Sequence, residues 1–269
     1  MVPARFWVLF PWGKSTWGVR GREVPGVANR NHLPAPVGHK KGAIMFTGYS
    51  DKTIEFMWGI RLNNNREWFT AHKQDYVDHL YTPTMELGKE AYDKFMDKYP
   101  KLDLNLHVCR IYRDARRLYG SGPYKDHLWL TIRPDHDIWS QQPVIWFEIM
   151  PEEWSYGVGF WNAGAQTMAA MRRDMDEDPK RAEKMVRRLN KDGRFSVYGR
   201  DYARKKGEST KLLAEWYNKK DISVGRYCPI DEALYSPALV DTLVDGFSFL
   251  EPVYQYFKSF CKAGLGDLK

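Results

Sequence analysis

The spacing of apolar residues changes twice along this 269-residue chain, and that change limits the folds open to it. Before residue 100 and after residue 164, apolar side chains recur with the period of an amphipathic helix. Between residues 104 and 161 they form short runs of β-branched and aromatic residues bounded by Pro, Gly and Asp, which is typical of strands with short antiparallel links. The sequence therefore predicts a single α+β domain over residues 45–269, with a mainly antiparallel sheet flanked by N-terminal and C-terminal helices.

Caps and breakers place the helices. Ser50 or Asp51 is expected to begin a first helix, Asn65 a second, and Pro83 a third that runs to about residue 98. Further helices are expected over residues 165–175, after Asp178-Pro179, and as a closing pair whose first member begins at Ser236-Pro237. The apolar side chains that would bury the first helix are Ile54, Met57, Trp58 and Leu62.

Strand positions follow from the alternation of side chains. Runs at residues 104–112, 127–133, 143–150 and 154–161 are expected to form the sheet, and residues 222–228 are expected to return to it. In the first run, alternation puts Arg110 at the end of an apolar row. A guanidinium in that position must be paired or must face a cleft.

The net charge of +7 comes mostly from the first 44 residues. That segment holds seven of the 41 basic residues and one of the 34 acidic ones, so residues 45–269 carry 34 basic and 33 acidic residues. It shows no sustained apolar period, and it is interpreted as an unstructured leader, a targeting segment, a basic arm or a mistaken start upstream of Met45. The remaining domain is close to neutral, which argues against a nucleic-acid-binding protein.

The spacing of cysteines and the length of apolar runs argue against several further classes of protein. The three cysteines are odd in number and have no zinc-ligand spacing, so neither a disulfide framework nor a metal site is predicted. The apolar runs are far shorter than the roughly 20 residues that a membrane span needs. No Walker loop, Gly-x-Ser-x-Gly elbow or full dinucleotide fingerprint occurs. We therefore expect a soluble, cytoplasmic protein without a cofactor or membrane partner, and the sequence does not indicate its oligomeric state.

Polar chemistry is concentrated in residues 110–127. The cations of this stretch that could bind a ligand are Arg110, Arg113, Arg116 and Lys125. Guanidinium groups bind phosphate or carboxylate through paired hydrogen bonds, and a lysine adds a point charge, so the sequence predicts a site for a phosphorylated or other anionic small molecule. The side chains that could transfer a proton there are Asp114, Tyr124, His127 and Glu148.

Two other interpretations stay open. The arginines could form a structural network with Asp114, Asp126 and Glu148, in which Glu148 would pair with a partner such as Arg110. Alternatively, the basic residues could bind nucleic acid together with a second basic run, although interleaved acidic residues oppose that reading. The second run consists of Arg200, Arg204, Lys205, Lys206 and Lys211. The sequence does not decide whether the protein is an enzyme.

The same stretch resembles a family of bacterial and fungal proteins known as domain of unknown function 2461. The matching positions are Arg110, Arg113, Asp114, Arg116, Pro123, Tyr124 and Lys125, together with Asn63-Asn64, Glu67-Trp68-Phe69 and Lys73. Arg172, which follows the Gly157-x-Gly159-Phe160 strand, also matches, and the resemblance adds it to the ligand-binding candidates. Arg117 and Gly120-Ser121 depart from the family pattern. The resemblance implies a fold and a site location, but no reaction.

Overall fold

The structure is a computed structural model that describes residues 45–114, 122–135 and 139–261. Its helices are α1 (Asp51–Leu62), α2 (Arg66–Ala71), α3 (Lys73–Tyr76), a π-helical turn (Val77–Tyr81), α4 (Thr82–Lys98), α5 (Ala165–Glu177), α6 (Pro179–Asp192), α7 (Ala214–Tyr217) and α8 (Leu239–Ser259), with a 3-10 turn at Trp139–Gln141. Its strands are β1 (Asn105–Val108), β2 (Leu128–Arg133), β3 (Pro143–Ile149), β4 (Glu153–Phe160), β5 (Ser196–Tyr198) and β6 (Ser223–Pro229). The leader, Arg116, Arg117 and Gly120-Ser121 lie outside the described residues.

The six strands form one antiparallel sheet in the order β1-β2-β3-β4-β6-β5. Helices α4 and α8 pack against each other and cover one face of this sheet. On that face Leu130 of β2 lies against α4, and Tyr156 of β4 lies against α8. The structure confirms the predicted α+β fold with a single domain. It adds the short edge strand β5, which the sequence analysis did not predict.

The first helix is predicted correctly, but its buried face is not. The side chains that α1 buries are Thr53, Phe56, Met57 and Ile60. These side chains recur at helical spacing, as the expected ones do, but their face is rotated about the helix axis from the expected face. Periodicity alone therefore does not choose between the two faces. Trp58 and Leu62 are 40% and 77% exposed, and the Arg61 guanidinium lies 4.7 Å from the centre of the Trp58 ring.

The expected pair of C-terminal helices is, in the described residues, one helix that continues through Pro252. A proline inside a helix leaves the carbonyl four residues earlier without its N–H donor. Here that carbonyl belongs to Ser248, and the Tyr99 hydroxyl donates a hydrogen bond to it at 3.3 Å. Arg188 donates to the next carbonyl, that of Phe249, at 2.6 Å. These side chains satisfy backbone groups near the proline, so the helix continues.

The first strand is shorter than expected because the chain leaves the sheet after Cys109, whose N–H still donates to Trp129 O at 2.9 Å. The backbone at Ile111 and Arg113 instead pairs with a second segment of the same loop. Lys125 N–H donates to Ile111 O at 2.7 Å, and Arg113 N–H donates to Pro123 O at 2.8 Å. This pairing brings the two halves of the polar stretch side by side.

The contact between α8 and the sheet is tight at Gly246. A Cβ atom added there would lie 2.3 Å from Cε2 of the Tyr156 ring, which is fully buried. Alanine favours a helix by about 1 kcal/mol over glycine, but overpacking a core usually costs 1–3 kcal/mol. Because a contact of 2.3 Å places the overpacking cost at the upper end of that range, Gly246→Ala is expected to lower the free energy of unfolding in urea by about 1–2 kcal/mol. An exposed change on the same helix, Gln255→Ala, should stay within about 0.5 kcal/mol of the parent. A Gly246→Ala variant as stable as Gln255→Ala would contradict this packing.

Candidate functional site

Asn64, which lies between α1 and α2, holds the polar stretch by two hydrogen bonds. Its side-chain amide donates to Tyr124 O at 2.9 Å, and its side-chain oxygen accepts from Tyr124 N at 3.0 Å. A Cβ atom at Gly122 would lie 2.3 Å from Cγ of Asn64, so glycine is required for this close approach. The Tyr124 ring stacks on Phe69 at 4.2 Å and is buried. Those contacts favour a packing role for Tyr124, whose hydroxyl the sequence had offered for proton transfer.

Arg113 is held by the loop itself. Its Nε donates to Tyr124 O at 2.7 Å, and one of its terminal nitrogens lies 3.7 Å from Oδ1 of Asp126. This guanidinium therefore orders the loop through a carbonyl and a long ion pair. Of the acids that the sequence offered as partners for the arginines, Asp126 is the one that Arg113 approaches in the described residues. Removing Arg113 would disturb the loop as well as any ligand.

Lys125 donates to the carbonyl oxygens of Arg110 and, at 3.2 Å, of Tyr112, and its ammonium lies 4.5 Å from the centre of the Trp129 ring. All three contacts are with neutral groups. Burial lowers the pKa of Lys125, and the positive charges of Arg113 and Arg110 lower it further. Within the described ranges, no carboxylate pairs with this ammonium.

Arg110 and Asp114 lie at the exposed side of the loop. The expected pair between Arg110 and Glu148 does not form: Glu148 is buried in the sheet, and the Arg110 side chain is exposed. The register explains this difference, because β1 ends before Arg110 and the loop turns away. Arg110 remains available to solvent at the rim of the site.

The carboxylate of Asp126 is shared by three cationic or polar groups. Arg61 Nε donates to Oδ2 of Asp126 at 2.5 Å. At the other oxygen, Oδ1, His127 Nδ1 lies at 2.8 Å and a terminal nitrogen of Arg113 lies at 3.7 Å. Arg61 also forms an ion pair with Glu152. Burial alone would raise the pKa of Asp126, but the hydrogen bonds from His127 and Arg61 outweigh it and hold that pKa well below its ordinary value.

His127 connects Asp126 to Glu148. Its second ring nitrogen, Nε2, lies 3.7 Å from Oε1 of Glu148. Glu148 is 5% exposed, and burial raises its pKa to about 7, with Glu153 and Asp126 adding to the rise and His127 opposing it. The partner of Glu148 is therefore an imidazole, in place of the arginine expected from the sequence. Asp126, His127 and Glu148 form a line of acid–base groups from the loop into the sheet.

Arg172 lies on α5, and its guanidinium carbon is 5.2 Å from the centre of the Tyr202 ring. One terminal nitrogen is buried without a hydrogen-bond partner among the described residues. The described contacts place it beside the segment that follows β5, and none of them joins it to the loop at residues 110–127. Arg116, the remaining ligand-binding candidate, lies outside the described residues.

The sequence analysis missed two residues that organise the site. Arg61 lies in the last turn of α1 and belongs to no motif, because an arginine at that position of a helix is common. Asn64 was visible only as part of a family motif, and its role depends on a contact 60 residues along the chain. Such distant pairings cannot be deduced from local spacing.

Two features of the described residues bear on metal binding and on membrane insertion. No group of three or more His, Cys, Asp or Glu side chains there is arranged to hold a metal ion. In the same ranges, no helix combines the length and the apolarity that crossing a membrane requires. Cys109, Cys228 and Cys261 are free thiols.

Burial of Glu148 is expected to make the stability of the protein depend on pH. The pKa of this carboxyl is about 7 in the folded protein and ordinarily 4.5, so between these values the folded protein holds a proton that the unfolded chain releases. The contribution of Glu148 to the free energy of unfolding should therefore fall by about 3 kcal/mol as pH rises through that window, and then level off.

Glu148→Gln has no titrating carboxyl and should lack this decline. In urea unfolding at about pH 5 and about pH 8, the stability of the variant relative to the parent is expected to be higher at the upper pH by about 2 kcal/mol or more. An exposed control on α7, Glu215→Gln, should follow the parent. Parallel pH profiles for the parent and Glu148→Gln would show that Glu148 is not a buried neutral acid.

Comparison with known proteins identifies the family. The family model described as conserved hypothetical protein (DUF2461) matches residues 52–256, which include every strand and the whole described part of the polar loop. Among curated proteins, none matches the chain. The matched range covers most of the chain and contains both Asn64 and Glu148. The chain therefore belongs to the DUF2461 family.

Proposed function

We propose that this protein binds a phosphorylated or other anionic small molecule at the rim formed by Arg110 and Lys125. The observation that carries the proposal is the ammonium of Lys125, which has only neutral partners among the described residues although two arginines lie within electrostatic reach. Lys125 and Arg110 lack a carboxylate partner among the described residues, and Arg113 has only its long contact with Asp126, so the three cations repel one another. A bound anion would relieve that repulsion.

The geometry also supports the presence of proton-transfer groups beside the bound anion. His127 lies between a carboxylate with a low pKa and a carboxyl with a raised pKa. Pairs of acids whose environments push their pKa values apart are typical of acid–base chemistry. We therefore propose Glu148 and His127 as the groups that would exchange protons with the ligand, if the family catalyses a reaction. The free thiols agree with a cytoplasmic location, which forms part of the proposal.

Arg110→Ala is the variant that separates binding from folding. The Arg110 side chain is exposed and has no hydrogen-bond partner among the described residues, whereas Arg113 supports the loop. In a thermal-shift screen of the full chain, we expect phosphate, a sugar phosphate or a nucleotide to raise the melting temperature of the parent. Arg110→Ala should keep the unliganded melting temperature and weaken binding about tenfold or more, because a charge-assisted hydrogen bond is lost.

The matched control is Arg173→Ala, which removes an exposed arginine from α5. It should bind as the parent does. Unchanged binding in Arg110→Ala, or no response of the parent to any anion, would contradict the proposed site. A response confined to short oligonucleotides, with a steep dependence on salt, would instead assign the protein to nucleic-acid binding.

A further inference from the structure

A row of four side chains crosses the sheet on the face opposite α4 and α8. Trp129, Glu148, Ser155 and Tyr227 are successive register partners on β2, β3, β4 and β6. Because partners in antiparallel strands project to the same side, the four side chains lie on one face. We call this set the Glu148 row. It begins at the ring that Lys125 covers and continues away from the cationic rim.

Two polar atoms at the centre of the row are buried and lack hydrogen-bond partners among the described residues. They are Oε2 of Glu148 and Oγ of Ser155. The two residues are 5% and 0% exposed. Buried polar atoms in proteins are nearly always satisfied. The Cβ atoms of register partners lie roughly 5 Å apart, so a single group between these side chains could bond to both.

The charge around this pair favours a cationic group. Burial raises the pKa of Glu148; among the neighbouring charges, His127 lowers it, and Glu153 and Asp126 raise it. Burial also raises the pKa of Tyr227, and Glu148 and Glu153 raise it further. Glu153 and Asp126 therefore lie within electrostatic reach of Glu148. Their carboxylates disfavour a further anion between Glu148 and Ser155 and favour a donor with positive charge.

Aromatic rings border the same position. The Trp146 and Tyr227 ring centres are 6.3 Å apart, and the Tyr198 ring meets Tyr227 edge-on at 4.7 Å. Trp146 lies over the backbone of Gly225, where an added Cβ atom would come within 2.9 Å of its Cζ2 atom. The two strands thus fix the indole close to the sheet. A carboxyl group, a hydroxyl and aromatic faces together are the groups that recognise ammonium ions in proteins.

We propose that Glu148 and Ser155 bind the ammonium group of a small organic amine. This inference rests on the proposed function for its second half: the same ligand carries the anionic group that the Arg110 and Lys125 rim binds. The ligand is then an amino phosphate or a similar zwitterion. Both ends lie close together, since Lys125 and Glu148 are each within electrostatic reach of the Cys109 thiol. Trp129 lies between the two ends: the Lys125 ammonium is 4.5 Å from the centre of its ring, and Glu148 is its partner one strand spacing, roughly 5 Å, away.

The test compares matched ligands that differ only in the amine. A series of ω-aminoalkyl phosphates of increasing chain length is titrated into the full-length protein beside the corresponding alkyl phosphates. We expect at least one aminoalkyl phosphate to bind about tenfold or more tightly than its amine-free partner. That preference should disappear in Glu148→Gln, decrease in Ser155→Ala, and persist in the exposed control Glu215→Gln. Arg110→Ala should weaken both members of each pair equally.

A proton count gives a second, independent measurement. At about pH 6 the Glu148 carboxyl is mostly protonated, since its pKa is about 7. Binding an ammonium would ionise it, whereas the phosphate of the ligand, which also titrates near pH 6, is common to both members of each pair. Calorimetry in two buffers of different ionisation enthalpy should therefore detect close to one more proton released on binding the aminoalkyl phosphate than on binding its alkyl partner in the parent. That difference should be absent in Glu148→Gln. The other titratable or charged groups of the described residues that lie within electrostatic reach of Glu148 are Asp126, His127, Glu153, Tyr227 and Cys109.

The outcomes separate the two proposals. Equal affinity for both members of every pair would overturn the ammonium site and leave the anion site standing. Binding of simple alkylamines, lost in Glu148→Gln, without binding of any phosphate would support the ammonium site and overturn the anion site. If neither amines nor phosphates bind, both proposals are wrong, and the unpaired atoms of Glu148 and Ser155 are satisfied by buried water.

Discussion

The candidate site depends on the ion pairs and hydrogen bonds of the Asp126 carboxylate. This carboxylate receives Arg61 from the helical layer, Arg113 from the preceding half of the loop, and His127 at the start of the sheet. A partly buried carboxylate with several cationic partners stays ionised and fixes their positions. Loss of its charge would leave two arginines and a histidine without a common partner. The loop would then lose its link to α1 and to Glu148.

Around this carboxylate, charge is divided between the two ends of the site. On the loop side, Lys125 and its neighbouring arginines create a positive rim. On the sheet side, Glu148 is buried within electrostatic reach of Glu153, Asp126 and His127. Trp129 stands between the two ends, with Lys125 over its ring and Glu148 as its partner on the next strand. The ligand that we propose, which carries both charges, would meet cations at one end and a carboxyl group at the other.

Much of this architecture is readable from sequence, for reasons that also explain the errors. Helix and strand periods identify the elements, but periodicity does not decide which face of α1 is buried, since Phe56 and Ile60 fit the helical spacing as well as Leu62 does. The density of charge in residues 110–127 predicts the location of the candidate site. It does not predict the pairings there, because Glu148 meets His127 only through the register of β2 and β3. Ser155 lies beside Glu148 only through the register of β3 and β4.

The most direct test of this account is a double-mutant cycle between Arg61→Met and Asp126→Asn, with the free energy of unfolding measured in urea at neutral pH. The hydrogen-bonded pair is partly buried, with side-chain exposures of 30% and 17%. If Asp126 organises the site through Arg61, the coupling energy should be about 1 kcal/mol or more, and Asp126→Asn should be the more damaging single change because it affects three partners. A coupling energy near zero, or an Asp126→Asn variant as stable as the parent, would contradict the central role of this carboxylate.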